Sequence, residues 1–152
     1  LVLVGDGKHR GSLEVRAVRL GIKDRVHFLG QLSAGEVVRA ELDRADLFVL
    51  PSRTEGLPRA MVEAMARALP CIGSTMGGIP ELLQADEMVP PGDVAALAAK
   101  IREVVLDPER MARMSVRNLE RAQDYRDATL RARRVAFYHR VRELTEGWLR
   151  HA

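Results

Sequence analysis

Apolar and polar positions along the chain switch repeatedly between the period of a buried strand and that of a helix. Leu1-Val2-Leu3-Val4 is a continuous apolar run ending in Gly5-Asp6-Gly7, the pattern of a buried parallel strand entering a turn. Leu13, Ala17, Val18 and Leu20 recur at helical spacing, and Gly21 suits the left-handed position past a helix end. Residues 25–30 read as a short strand. Ser33, with Glu36 three residues on, has capping-box spacing for a helix through Val37, Val38 and Leu42. Residues 46–52 form the clearest buried strand, followed by a helix over 58–69 and a strand around Cys71 and Ile72. Gly77-Gly78 makes a tight turn into a short helix over 79–83, and Met88-Val89 is a last strand. Asp93 is placed to cap a helix over 94–106. Asp107-Pro108 ends that helix and starts a helical run to residue 149, broken near 124–127. Strand and helix alternating at this spacing predict an α/β fold: a doubly wound parallel sheet of five or six strands with helices on both faces. Ligands of such sheets sit at the carboxyl ends of the strands, which directs attention to the loops after Val4, Leu29, Leu50 and Ile72.

Composition narrows this picture. At 152 residues, 47% hydrophobic and 30% charged, the chain has the makeup of one soluble domain with a sizeable core. Aromatic residues are only 4%, so aliphatic side chains and methionine must fill that core. No apolar run reaches the roughly 20 residues of a membrane-spanning helix. The single cysteine, Cys71, excludes an internal disulfide framework and a cysteine-based zinc cluster, and points to a reducing, cytoplasmic compartment. The net charge of +3 is concentrated in residues 107–152, where arginines alternate with Asp and Glu. That alternation reads as a solvated helix face, so no nucleic acid partner is expected. The four histidines show no metal-ligand spacing, and no metal site is expected. The chain begins without Met inside a strand that needs neighbours, and is expected to be part of a larger protein with one edge of its sheet uncovered.

Two segments carry candidate chemistry. Gly5-Asp6-Gly7 could open a dinucleotide fingerprint, but Arg10 stands where its third glycine belongs, and a plain tight turn is the better reading. The stronger segment is Pro51-Ser52-Arg53-Thr54-Glu55-Gly56-Leu57-Pro58-Arg59, between a strand and a helix that starts at proline. Free N–H groups of Arg59, Ala60 and Met61, together with the helix dipole, would form an anion site suited to a diphosphate. Glu55 precedes this cradle. Glu63 lies inside the helix among Met61, Val62, Ala64 and Met65, where a buried carboxylate would require a polar partner such as a sugar hydroxyl.

These residues resemble a known family. Glu55-x7-Glu63 looks like the acidic motif of the retaining glycosyltransferases of family 4, the glycosyl transferases group 1. Val4-Gly5-Asp6-Gly7, Val26-His27-Phe28-Leu29-Gly30, Ala45-Asp46-Leu47-Phe48-Val49-Leu50-Pro51-Ser52 and Gly77-Gly78-Ile79-Pro80-Glu81-Leu82 resemble it too, in the same order. The resemblance implies the C-terminal, Rossmann-like half of a GT-B architecture: residues 1–106 as the nucleotide-sugar-binding domain and 107–152 as helices packing on it. It also implies transfer of a sugar from a nucleotide-diphosphate sugar to an acceptor with retention, without cofactor or metal. Glu55 would be the catalytic-site acid, hydrogen-bonding donor-sugar hydroxyls. Glu63 would bind the ribose, and the backbone of Gly56, Leu57, Pro58, Arg59 and Ala60 the diphosphate. Gly30, Gln31 and Leu32 would border the base through main-chain contacts, while Gly77-Gly78 would only shape a neighbouring turn.

The resemblance also implies what lies elsewhere. An N-terminal acceptor-binding domain, with the cations that clamp the diphosphate, would precede Leu1, and any peripheral membrane association would run through it. Phe137-Tyr138 and Trp148 would then be docking anchors on exposed apolar surface. Ala68 stands where the family usually has Gly, a methyl expected only to perturb packing, and residues 84–89 are shorter than usual. The competing readings are, from a different class, a stand-alone sugar-nucleotide-binding or interaction module without turnover and, third, a basic-tailed nucleic acid binder.

Overall fold

Five short strands alternate with helices over residues 1–33 and 35–151, the residues that the computed structural model describes. They fall into two units, Leu1–Asp43 and Arg44–Ala152.

In the first unit, β1 (Val2–Val4) pairs in parallel with β2 (His27–Gly30), flanked in sequence by α1 (Arg10–Arg19) and α2 (Glu36–Leu42). The Gly5-Asp6-Gly7 segment is the tight turn expected. The Gly7 N–H donates to Asp6 Oδ1 at 2.8 Å, and Arg10, in the place of the absent glycine, pairs with Asp6 Oδ2 at 3.1 Å. These bonds, to the Gly7 amide first and Arg10 second, hold the Asp6 carboxyl below its ordinary value. Helix α1 ends as its sequence predicts: Gly21 is left-handed (φ +65), Gly21 N–H donates to Val18 O at 2.9 Å and Ile22 N–H to Ala17 O at 3.0 Å. The expected capping box at Ser33 does not form. The N-cap of α2 is Gly35, left-handed at φ +91, and Ser33 lies outside the helix with no capping bond.

In the second unit, β3 (Phe48–Leu50), β4 (Cys71–Ser74) and β5 (Met88–Val89) form a parallel sheet in that order. The helices are α3 (Arg59–Ala66), α4 (Val94–Val105), α5 (Pro108–Ala122) and α6 (Asp127–His151). A 3-10 turn over Gln123–Tyr125 breaks the C-terminal helical run where it was expected to break. Asp93 and Asp107 cap as read, accepting from the Ala96 and Arg110 N–H groups. One core cluster joins Ile72, Val104 and Met114, with Leu47, Leu97, Ile101 and Met111 packed against it.

The α/β class with parallel strands and helices on both faces agrees with the sequence pattern, while three details differ. The strands form two hydrogen-bonded ladders, one per unit, rather than one sheet of five or six. Among the described residues β1 pairs only with β2, and the strand is not buried as its apolar run suggests: Val2 is 48% and Val4 50% exposed. Nor is β3 the most buried strand. It has one strand neighbour and is half-buried, whereas β4, paired on both sides, is buried throughout. Continuous apolar runs mark strands of the sheet without distinguishing edge from centre.

Two long-range ties fix α5 in this unit. Glu87, 1% exposed, receives both Arg117 Nη groups at 2.5 Å, one on each carboxylate oxygen. Buried Asn118 donates through Nδ2 to the Leu69 carbonyl at 2.8 Å, just past the end of α3. On α6, Phe137, Tyr138 and Trp148 are exposed, as expected for that stretch.

Candidate functional site

The loop from β3 to α3 and the turn after β4 meet at the carboxyl ends of two adjacent parallel strands. Pairing of Leu50 with Gly73 sets the register there. It brings Ser52, two residues past β3, beside Ser74 at the end of β4, whose buried hydroxyl donates to the Ser52 carbonyl at 2.5 Å. The Ser52 hydroxyl in turn donates to Glu55 Oε1 at 2.6 Å. Glu55 is thus a half-buried loop carboxylate with one oxygen tethered three residues upstream. Among the described residues its second oxygen has no partner.

Helix α3 begins one residue later than read, with Pro58 as its N-cap. The Pro58 carbonyl accepts from the Met61 N–H at 3.1 Å and the Val62 N–H at 3.2 Å. The cradle of free amides therefore excludes Met61 and consists of Arg59 and Ala60, whose N–H groups have no acceptor among the described residues. No side chain caps this end. An eight-residue helix whose first amides are open and exposed offers its positive pole to an anion. Arg59 and Arg53 are exposed cations on the same segment.

Glu63 departs from the sequence argument. Met61, Ala64 and Met65 turn inward and are fully buried, which leaves Glu63 on the exposed face of α3. Water can solvate it there, so burial does not demand a partner. Its carboxylate makes no hydrogen bond or ion pair among the described residues. Glu63 and Glu55 are thus the two carboxylates of this segment with an oxygen free, one on the helix and one in the loop before it.

Gly30, Gln31 and Leu32 lie in the first unit. Gly30 closes β2 in the left-handed region (φ +67), and its carbonyl accepts from the Gly5 N–H at 2.7 Å. Gln31 is exposed and Leu32 half-buried.

Sequence reasoning missed the turn after β4 as part of this site. A Cβ on Gly77 would stand 2.0 Å from the Glu55 carbonyl oxygen, and the Gly78 N–H donates to the Gly56 carbonyl at 2.8 Å. The available signal was the glycine pair itself, following a strand whose carboxyl end faces the loop.

Comparisons with known proteins show the family and the fold. The family model described as Glycosyl transferases group 1 matches residues 1–121. The chain is 35% identical over 123 residues to the N-acetyl-alpha-D-glucosaminyl L-malate synthase of Bacillus anthracis, covering 79% of this chain and 32% of that protein. Sucrose-phosphate synthase from Thermosynechococcus elongatus superposes at a TM-score of 0.83 and 28% identity, over 95% of this chain and 39% of that one. Anabaena HepE, solved in complex with UDP-glucose, superposes at 0.80 and 26% identity, over 92% of this chain and 40% of that one. The chain spans about a third of the length of the curated relatives it matches.

Proposed function

The chain belongs to the glycosyl transferases group 1 family, and on that premise we propose that it is the donor-binding part of a retaining glycosyltransferase that uses a nucleotide-diphosphate sugar. The observation carrying this reading is the junction of the Glu55 loop with the open N-terminus of α3. A carboxylate with one oxygen free precedes two free amides on one segment, and such groups suit sugar hydroxyls and phosphate oxygens. UDP-glucose in the HepE complex is a ligand of the class such a junction fits.

In this reading the diphosphate lies at the backbone of Gly56, Leu57, Pro58, Arg59 and Ala60. There the helix pole and nearby cations stabilise the negative charge that grows on the leaving group. That stabilisation is electrostatic and requires no metal. Glu55 accepts from donor-sugar hydroxyls and orients the sugar; it is not assigned as a nucleophile, and the acceptor attacks on the face from which the diphosphate departs. Glu63 accepts from the ribose, and Gly30, Gln31 and Leu32 border the base. Residues 107–152 serve as helices packed on the donor-binding domain, with Asn118 tying α5 to the end of α3. An N-terminal domain supplies the acceptor site and any peripheral membrane contact. In this reading the protein works in the cytoplasm and binds no nucleic acid, which rests on its single cysteine and on the alternating charges of residues 107–152.

The test is calorimetric titration of the full-length protein with UDP-, GDP- and ADP-sugars and the matching bare diphosphates, alongside turnover. Losing a charged acceptor for a bound hydroxyl costs about 1.5–3 kcal/mol, so Glu63→Gln should weaken nucleotide-sugar binding roughly tenfold to a hundredfold. Glu55→Gln should leave bare diphosphate binding nearly unchanged and lower turnover, because its partner is the sugar. If both variants bind and react like the parent, the assignment is wrong.

A further inference from the structure

The Glu55 side chain sits in a loop and would lose substantial rotamer freedom on meeting a sugar, unless the fold has already fixed it. Four contacts do so, three from the end of β4 and its following turn and one within the loop itself. Ser74 holds the Ser52 carbonyl at 2.5 Å, and Ser52 holds Glu55 Oε1 at 2.6 Å. The Gly78 N–H donates to the Gly56 carbonyl at 2.8 Å, on the residue that follows Glu55. Gly77 lies flat against Glu55: a Cβ there would meet its carbonyl oxygen at 2.0 Å, its carbonyl carbon at 2.6 Å and its Cβ at 3.1 Å. Gly77 also takes φ +54, a conformation that favours glycine. The turn is itself anchored in the core, because Ile79 is fully buried and a Cβ on Gly73 would stand 2.7 Å from its Cγ2. The clamp acts on the carboxylate and on the backbone to either side of it. It ties up one carboxylate oxygen and leaves the other without a partner among the described residues.

We propose that Ser52, Ser74 and the Gly77–Gly78 turn are positioning residues that present Glu55 with a single free carboxylate oxygen to a hydroxyl of the donor sugar. They thereby set the preference for the sugar ester over the bare nucleoside diphosphate. The inference rests on the donor-binding reading above. Pre-fixing the acceptor strengthens the contact that the sugar makes, whereas the free amides at the start of α3, those of Arg59 and Ala60, are bonded neither by the two serines nor by the Gly77–Gly78 turn.

The experiment measures Kd and turnover of the full-length protein with two ligand pairs, UDP against UDP-glucose and GDP against GDP-mannose. The variants are Ser52→Ala, Ser52→Thr, Ser74→Ala, Gly77→Ala and Glu55→Gln. For the pair that the parent binds, Ser52→Ala and Ser74→Ala should weaken binding of the sugar ester about tenfold and lower kcat, with Kd for the bare diphosphate within about twofold of the parent. Ser52→Thr keeps the hydroxyl and should restore the preference. Gly77→Ala should act like Ser52→Ala; if it does not fold, the two serine variants and the threonine rescue carry the test. Equal weakening of ester and diphosphate would mean a merely structural role and would overturn the proposal. So would serine variants that keep the parent's preference while Glu55→Gln loses it, with the donor-binding reading left standing. If Glu55→Gln also keeps the preference, or the parent binds none of the UDP-, GDP- and ADP-sugars titrated above, the donor-binding reading itself falls and takes this inference with it.

Discussion

Helices α1 and α3 end in the same way with different residues, and that difference can be measured. In α3, Ala68 N–H donates to Met65 O at 2.9 Å and Leu69 N–H to Ala64 O at 3.1 Å, which places Ala68 at φ +61. It is the one non-glycine residue with positive φ among those described. In α1 the same pair of bonds is built around Gly21 at φ +65. For an L-residue the left-handed region costs roughly 1–2 kcal/mol, and glycine gives back about 0.4–1 kcal/mol through its freedom in the unfolded chain. A Cβ on Gly21 would meet nothing within 4 Å, so Gly21→Ala should show this difference alone, a loss of about 0.8 kcal/mol. Ala68 is half-buried, so Ala68→Gly also gives up part of a methyl group's burial, roughly 0.4 kcal/mol, and should gain about 0.4 kcal/mol net. In differential scanning calorimetry, at about 2–4 °C per kcal/mol for a cooperative unit of this chain's size, Gly21→Ala should lower Tm by about 2–3 °C and Ala68→Gly raise it by about 1–2 °C. The methyl of Ala68 would then matter through backbone strain, beyond the packing effect its sequence position implies. Tm falling in Ala68→Gly, or holding steady in Gly21→Ala, would refute this account of the two helix ends.

Two further outcomes follow from the second unit. Removing Arg117 leaves the Glu87 carboxylate buried without its main partner, so Arg117→Ala should cost about 3–5 kcal/mol, and Arg117→Lys should recover only part because an ammonium cannot bridge both oxygens; a loss below about 1 kcal/mol in urea unfolding would contradict the buried-pair reading. Burial, with the Glu87 charge second, pushes the Cys71 thiol up to about 12 from an ordinary 9.0. The folded protein keeps a proton that the unfolded chain releases, so this contribution is intact below pH 9 and is lost as pH rises from 9 towards 12. Iodoacetamide at pH 8 should leave Cys71 unmodified in the native protein and alkylate it in urea; rapid alkylation of the native state would show that the thiol is not shielded.

What the sequence made legible was local. Strand and helix periods, the Asp93 and Asp107 caps, the left-handed Gly21 and the Glu55 loop all depend on residues within a few positions of one another, and all are found where the pattern puts them. The exposure of Glu63 was legible as well, had helical phase been weighed over neighbourhood: Met61, Ala64 and Met65 are spaced to share one stripe, and Glu63 falls off it. Edge and centre strands could not be told apart, because an apolar run reports the sheet and its neighbours decide the burial. The least legible features join residues far apart in the chain: Arg117 with Glu87, Asn118 with Leu69, Ser74 with Ser52 and Gly78 with Gly56. Each pair spans 20 residues or more, and no periodicity reaches that far. For the candidate site the distinction has chemical content. The acceptor carboxylate and the helix start lie on one short segment and can be read from it. What holds that carboxylate in place comes from the next strand, where a serine and a glycine pair look like ordinary turn residues until the parallel register sets them against the Glu55 loop.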